Sequence, residues 1–148
     1  MIQKVDSATL YSAAQIHSES WKESHRGLCS EQYIQQHTVE NQKRYLQKEI
    51  SAGKQLYIHI QQKPVGIVSV KADLIENLYV LPSEQRKGYG TELLLFAIKQ
   101  CSSSPRLWIL EHNKKAYALY AKHGFKLTGN RHDLSPTVSE VEMQLSLE

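Results

Sequence analysis

Cysteine is scarce in this chain: Cys29 and Cys101 are the only two, and neither stands in a C-x-x-C or Cys/His spacing. That excludes a disulfide framework and a structural zinc site, and points to a reducing, cytoplasmic setting. No apolar run approaches the roughly 20 residues of a membrane-spanning helix. The first residues, Met1 to Asp6, lack the basic and apolar regions of a secretory leader, so neither export nor membrane insertion is expected. Metal-like spacing is also missing among His17, His37, His59, His112, His123 and His132, and no metal is expected. Charge of one sign is lacking too. The net charge is +3, with cations scattered except at Arg86-Lys87 and Lys114-Lys115. This argues against nucleic acid as a partner and suits a small polyanion held at one place.

What is present is the composition of a folded α/β domain. Apolar residues at 41% and charged residues at 22% exclude a disordered chain, and 148 residues fit one domain spanning 1–148. The pattern predicts a strand at Ile2 to Val5, then a helix capped by Asp6 or Ser7 and ending near Trp21. The helix has Leu10, Ala13, Ala14, His17 and Trp21 on one face, which makes His17 a core residue with its polar atoms satisfied. Lys22 to Ser30 reads as a loop. A short helix follows through Tyr33 and Ile34, then a longer one bearing Val39, Gln42, Leu46, Glu49 and Ile50 and stopped by Gly53. Leu56 to Ile60 and Val65 to Val70 form a hairpin, and a third strand, Leu74 to Leu81, is broken by Pro82. From Gly88 the period becomes helical, with Leu93, Leu94, Ala97, Ile98 and a core Cys101. Leu107 to Leu110, a helix over Lys114 to Lys122, and strands at Phe125 to Thr128 and through Val141, Met143, Leu145 and Leu147 complete the chain. The strand-helix-strand unit implies a parallel pair inside an otherwise antiparallel sheet.

The turn after Pro82 concentrates the chemistry. Gln85-Arg86-Lys87-Gly88-Tyr89-Gly90 sets two glycines and two cations between a strand and a helix start, where backbone N–H groups and the helix dipole favour an anion. Taken alone, a G-x-G pair serves equally well as a tight turn with solvated cations. A Walker loop is absent. The dinucleotide fingerprint lacks its third glycine because Leu93 stands there, although Glu111 sits where a ribose-binding acid belongs.

The run Leu78-Tyr79-Val80, Pro82, Gln85-Arg86-Lys87-Gly88-Tyr89-Gly90 and Leu93-Leu94 resembles the acetyl-CoA motif of the GNAT acetyltransferase superfamily, Q/R-x-x-G-x-G/A. Asn113, Ala116, Leu119-Tyr120, Lys122 and Gly124-Phe125 resemble that family's N-x-x-A-x-x-x-Y-x-K-x-G-F block. Trp21, His25-Arg26-Gly27-Leu28 and Tyr33 look like the acceptor-side helix and loop of small bacterial members. The resemblance implies a mixed sheet in which the strands before the turn and before Asn113 run parallel and splay to admit acetyl-CoA.

By that resemblance, the backbone of Arg86 to Thr91, through Lys87, Gly88, Tyr89 and Gly90, would hold the pyrophosphate with Gln85 in the same turn. The edge of Leu78, Tyr79 and Val80 would pair with pantetheine, an N–H near Val80 would polarise the thioester, and Asn113 would contact the pantetheine arm. The implied reaction is direct attack of an amine on the thioester, with Tyr120 protonating the leaving thiolate; by position alone Tyr120 reads as a core tyrosine. Glu76, expected to share the face of Leu78, is the candidate base, with Asp73, Tyr79 or ordered water as substitutes. Trp21, His25 and Arg26 would line the acceptor site, with His25 and Arg26 contacting an acidic or carboxylate-bearing substrate; a packed aromatic and a solvated loop fit the same residues. The acceptor, a small-molecule or peptide amine, would be chosen by loops at Lys22 to Ser30 and Gly129 to Ser139, and pairing into a homodimer is compatible with such a domain. A catalytically silent acyl-CoA-binding regulator and a nucleotide-binding module are the rival readings.

Overall fold

In a computed structural model, which describes residues 1–146, the chain forms a seven-stranded mixed sheet with helices on both faces. The elements run β1 Ile2–Lys4, α1 Leu10–His25, α2 Glu31–Gln35, α3 Val39–Ser51, β2 Gln55–Gln61, β3 Lys63–Lys71 and β4 Leu74–Val80. A single 3₁₀ turn, Pro82–Glu84, leads to α4 Tyr89–Gln100, β5 Arg106–Leu110, α5 Lys114–Lys122, β6 Lys126–Asp133 and β7 Ser139–Gln144. Strand order is β1-β2-β3-β4-β5-β7-β6, and every pairing is antiparallel except β4 with β5.

Two apolar layers hold the helices to the sheet. Leu10, Ala13, Ala14 and Ile16 of α1 and Leu46 of α3 pack on Leu56, Ile58 and Ile67. On the opposite face Leu93, Leu94 and Ala97 of α4, with Tyr120 and Phe125, pack on Val68, Ile75, Leu107 and Met143. The alternation of Leu56, Tyr57 and Ile58 between the layers is the period-two signature of a strand buried on both sides. Gly66 lets α4 come close: a Cβ there would stand 2.7 Å from Leu93 Cδ1 and 2.9 Å from the Tyr79 carbonyl oxygen.

Several expectations need correction. The first helix does not end at Trp21 but continues to His25, because Trp21 is packed between two imidazoles and His25 Nδ1 lies 2.9 Å from the Trp21 carbonyl oxygen. The loop expected from Lys22 is therefore only the turn after His25. Asp6 does not cap α1 directly; its carboxylate accepts from the N–H groups of Ala8 and Thr9 in the preceding turn. The segment expected to be a loop from Gly129 to Ser139 is largely strand, since β6 runs on to Asp133 through a register shift at Gly129, whose φ is +95°. Cys101 is half-buried at the rim of the core, and β7 ends at Gln144, short of Leu145; Leu147 lies outside the described residues.

Candidate active site

Strands β4 and β5 touch through a single aligned pair, Leu74 with Arg106, and then diverge. They are pinned at that end by Asp73. Its carbonyl accepts from the Arg106 N–H at 2.9 Å, and its carboxylate accepts from the backbone N–H groups of Ser102 and Ser103 and from the Ser103 hydroxyl. These bonds hold the Asp73 carboxyl below the usual aspartate range. Asp73 therefore stands at the closed end, its acceptors engaged, and not where an acceptor amine would arrive.

Beyond the pin the divergence opens a cleft of about 1150 Å³. At its mouth the chain leaves β4 through Leu81, turns at Pro82, and enters α4 through Arg86 (φ +67°) and Gly88 (φ +89°), both in left-handed conformation. Gly88 is the residue before α4, no side chain caps the helix, and a Cβ at Gly88 would meet nothing within 4 Å. Uncapped first-turn N–H groups facing open space are what a pyrophosphate requires.

The two cations of the turn differ in their surroundings. Lys87 reaches back to the buried Glu84 at 3.1 Å, and Lys63 binds the same carboxylate at 3.1 Å, holding the Glu84 carboxyl below its ordinary range. Arg86 has no ion-pair partner among the described residues. Gln85 does not face solvent freely: its amide donates to the Val80 carbonyl oxygen at 3.2 Å and reaches Glu23 of α1 at 3.5 Å. Ser20, also on α1, donates to the same carbonyl at 3.3 Å. Because the next residue, Leu81, gives its N–H to Val65 of β3, the Val80 N–H is directed away from β3, toward the opened side. Across the cleft Asn113 precedes α5 and uses its side-chain oxygen to accept from Ala116 N–H at 3.1 Å, leaving its amide nitrogen for other partners.

Strand β4 is not regular. Its pairing with β3 shifts between Ile67 and Ser69, and Asn77, a non-glycine residue at φ +53°, occupies the bulge. Asparagine tolerates this conformation, and its Oδ1 is held by Lys54 Nζ at 3.0 Å and Ser69 Oγ at 2.8 Å. The bulge reverses the faces: Ile75, Leu78 and Val80 pack toward α4, whereas Tyr79 and Leu81 pack toward α1. Glu76 therefore does not share the face of Leu78. It lies on the α3 side, 3.3 Å from Lys54, a fully covered ammonium that also pairs with Glu49 at 3.1 Å.

Two tyrosines meet in this region. Tyr120 is buried, forms an edge contact with Phe125, has no hydrogen-bond partner for its hydroxyl among the described residues, and lines the cleft. Burial pushes its phenol above the ordinary range, so it stays protonated near neutral pH. Tyr79 is likewise pushed up, first by burial and then by the nearby Tyr45, Tyr120, Glu76 and Glu140. A phenol so raised is a poor proton acceptor.

The α1 side is built from rings. Trp21 lies between His25 (3.9 Å, 9°) and His37 (3.4 Å, 9°), with Tyr33 at its edge. Burial lowers both imidazoles below the ordinary histidine range, so His25 is neutral near pH 7. His17 is buried as expected but not satisfied: its Nδ1 has no partner, and burial lowers its pKa to about 4. Sequence reasoning missed Ser20, Lys54 and Glu140. None stands in a motif: Ser20 and Glu140 come to the cleft from elements far apart along the chain, and Lys54 lies behind it, against Glu76. Among the described residues no cluster of three or more His, Cys, Asp or Glu could hold a metal, and no helix is long and apolar enough to cross a membrane.

Comparison with known proteins agrees with this geometry. Residues 11–125 match the model of the acetyltransferase (GNAT) family. A spermidine N(1)-acetyltransferase of Thermoplasma acidophilum is 30% identical over 142 residues, covering 85% of this chain and 88% of that protein. Among solved structures, the PaiA N-acetyltransferase of Thermoplasma acidophilum in complex with coenzyme A superposes with a TM-score of 0.71 at 24% identity, covering 96% of each chain. The putative acetyltransferase yncA of Salmonella typhimurium, with its cofactor acetyl-CoA, superposes at 0.72 and 18% identity, covering 100% of this chain and 94% of the other. A sheet splayed at one parallel pair, an uncapped glycine turn at its mouth and a family match over most of the chain agree: the protein belongs to the GNAT family of N-acetyltransferases.

Proposed function

We propose that the protein moves an acetyl group from acetyl-CoA to a primary amine by direct attack within the β4/β5 cleft. The observation that carries this reading is the splay of β4 from β5 over an uncapped, left-handed glycine turn, with backbone donors directed to open space. The N–H groups of Arg86 to Thr91 hold the pyrophosphate, with Arg86 adding charge and Lys87, set by Glu84, shaping the turn. The open edge of Leu78 to Val80 pairs with the pantetheine amides, the Asn113 amide nitrogen donates to the same arm, and the Val80 N–H polarises the thioester carbonyl.

The uncharged amine attacks the thioester carbon, forming a C–N bond and a tetrahedral oxyanion. Collapse of that species breaks the C–S bond. The amine's surplus proton passes to Glu76, directly or through water, and the Tyr120 hydroxyl protonates the departing thiolate. A neutral, protonated Tyr120 with no internal partner supports the acid role. The ion pair with Lys54 supports a Glu76 carboxylate available as acceptor of that proton. Trp21, His25 and Arg26 wall the acceptor side. The spermidine-acetylating relative supports an amine acceptor.

Calorimetric titration with acetyl-CoA, CoA, ATP and NAD, followed by an amine panel read as thiol release, tests the reading. Selective binding of CoA species with amine-dependent thiol release is expected. Tight CoA binding with no turnover on any amine would instead indicate a silent acyl-CoA-binding regulator, and preference for ATP or NAD would overturn the assignment.

A further inference from the structure

Lys54 stands between α3 and β2, and its side chain is 1% exposed. From α3, Glu49 lies 3.1 Å and the Tyr45 hydroxyl 3.3 Å from its ammonium; from β4, Glu76 lies at 3.3 Å and Asn77 Oδ1 at 3.0 Å. Burial works against its charge, but Glu76, Tyr45 and Glu49 outweigh burial and hold the ammonium above the ordinary lysine range. The residue it grips is the one at which β4 breaks register. Ser69 of β3 faces Glu76, yet Ile67 faces Tyr79 and Gly66 faces Val80, so two steps along β3 match three along β4. The Leu81 N–H bonds to the Val65 carbonyl oxygen at 2.9 Å. Had β4 kept the register of Glu76 with Ser69, Val80 would stand opposite Val65 and its N–H would be taken by β3. The extra residue frees that N–H, and it does so while Asn77 stays at φ +53°, a conformation unfavourable to residues other than glycine. The Asn77 side chain is fixed at both ends: Oδ1 by Lys54 and by Ser69 Oγ at 2.8 Å, Nδ2 by His17 Nε2 at 3.5 Å.

We propose that Lys54 is a positioning residue for acetyl transfer: its ammonium, by holding Asn77 Oδ1 and Glu76, locks the β4 bulge that turns the Val80 N–H toward the thioester. The inference rests on the reading of that N–H as the donor to the thioester carbonyl. Tyr45, Glu76 and Asn77 line the cleft and Lys54 lies behind them, so Lys54 acts through β4 and not on the reacting atoms. Without it Asn77 Oδ1 keeps one neutral donor, the Ser69 hydroxyl, which also faces the Glu76 carbonyl oxygen at 3.0 Å. A charged donor bonds more strongly than a neutral one, and in a covered position the difference is larger than in water. The same cation joins α3 to β4, so the strand that carries the Val80 N–H is fixed against the helix that bears Tyr45.

The test is NMR of the native, Lys54→Met and Lys54→Arg proteins, free and in complex with acetyl-CoA labelled with carbon-13 at the carbonyl, with no amine present. In the free protein the Cα and Cβ shifts of Asn77 report its left-handed backbone. In the complex the carbonyl signal moves downfield of free acetyl-CoA as the oxygen accepts a hydrogen bond. The native protein should show both signatures, and Lys54→Arg, which keeps the charge, should retain most of each. Lys54→Met should lose the left-handed shifts and most of the downfield displacement, while its calorimetric affinity for CoA stays within about threefold because the glycine turn is untouched. If Lys54→Met does not fold, Lys54→Gln takes its place with the same expectation. Left-handed Asn77 shifts that survive loss of the charge would overturn the proposal, as would a carbonyl displacement that survives loss of those shifts, or equal losses in the neutral and the arginine variants. A native complex whose carbonyl is not displaced would instead sink the Val80 N–H as thioester donor, and the Asn77 shifts alone would then decide whether Lys54 locks the bulge.

Discussion

The coenzyme side and the acceptor side proposed for the cleft are made in different ways. The first is a backbone device: uncapped N–H groups of one helix, a left-handed glycine and an unpaired strand edge, all within Leu78 to Thr91 apart from Asn113. The second is a side-chain device, with Ser20 and Trp21 from α1, His37 from the turn before α3, Glu76 at a bulge, held from behind by Lys54, and Glu140 on β7. A polyanion of fixed shape can be met by a contiguous turn. An acceptor that differs between relatives is met by residues assembled from across the chain, and the contrast implies that substitutions should separate coenzyme affinity from acceptor use.

The largest separation should come from the turn. Gly88→Asp forces a side chain onto a residue at φ +89° and sets a negative charge in the space open to the pyrophosphate, so coenzyme affinity should fall roughly a hundredfold or more while the fold persists. Calorimetric titration with CoA beside a thermal melt measures both. Native affinity in that variant would remove the turn from the coenzyme site. On the other side, Tyr120→Phe should lower turnover by roughly 10² to 10⁴ with CoA affinity nearly intact. Unchanged turnover would leave Tyr120 as a packing residue against Phe125.

The same contrast explains what could be read from the sequence. The glycine turn, Asn113 and Tyr120 lie in contiguous runs whose spacing is itself the signal, and the β-α-β unit that separates them fixes the parallel pair. Faces were harder. Alternation from Leu78 back to Glu76 gives the wrong side of β4, because Asn77 adopts a left-handed conformation that its residue type permits but does not demand. The continuation of α1 to His25 depends on His37, which reaches Trp21 only after the chain has turned through α2. Lys54 and Glu140 carry no local pattern; their meaning comes from the fold, which sets Lys54 against Glu76 and Glu140 at the cleft.

A smaller effect should mark the acceptor side through pH. His17 is held neutral by burial, with its pKa lowered to about 4 from 6.5. The unfolded chain therefore binds a proton here that the folded chain refuses, and stability present above about pH 6.5 is lost as pH falls toward 4. The difference corresponds to on the order of 3 kcal/mol at full effect, and His25 and His37 act in the same direction. Thermal melts from pH 7.5 to 4.5 should fall in the native protein and fall less in His17→Gln. Parallel curves for the two proteins would show that the ring is not held neutral.

The smallest effect belongs to the closed end, where Asp73 joins the β3–β4 turn to the start of β5. Its carboxyl titrates lower in the folded chain than in the unfolded one, so its contribution is complete above the ordinary aspartate value, about pH 4, and disappears as pH falls below it. Asp73→Ala should lower the melting temperature at pH 7 by a few degrees at most, since the bonds are exposed, and should narrow the gap to the native protein in acid. The more informative readout is CoA affinity. If a pin at Leu74 and Arg106 sets how far β4 and β5 diverge at Val80, loosening it should weaken CoA by roughly two- to fivefold without altering which amines of the panel are used. Unchanged CoA affinity would mean that the splay is held from the open end, by the Ser20 and Gln85 bonds to Val80, and that the clamp serves stability alone.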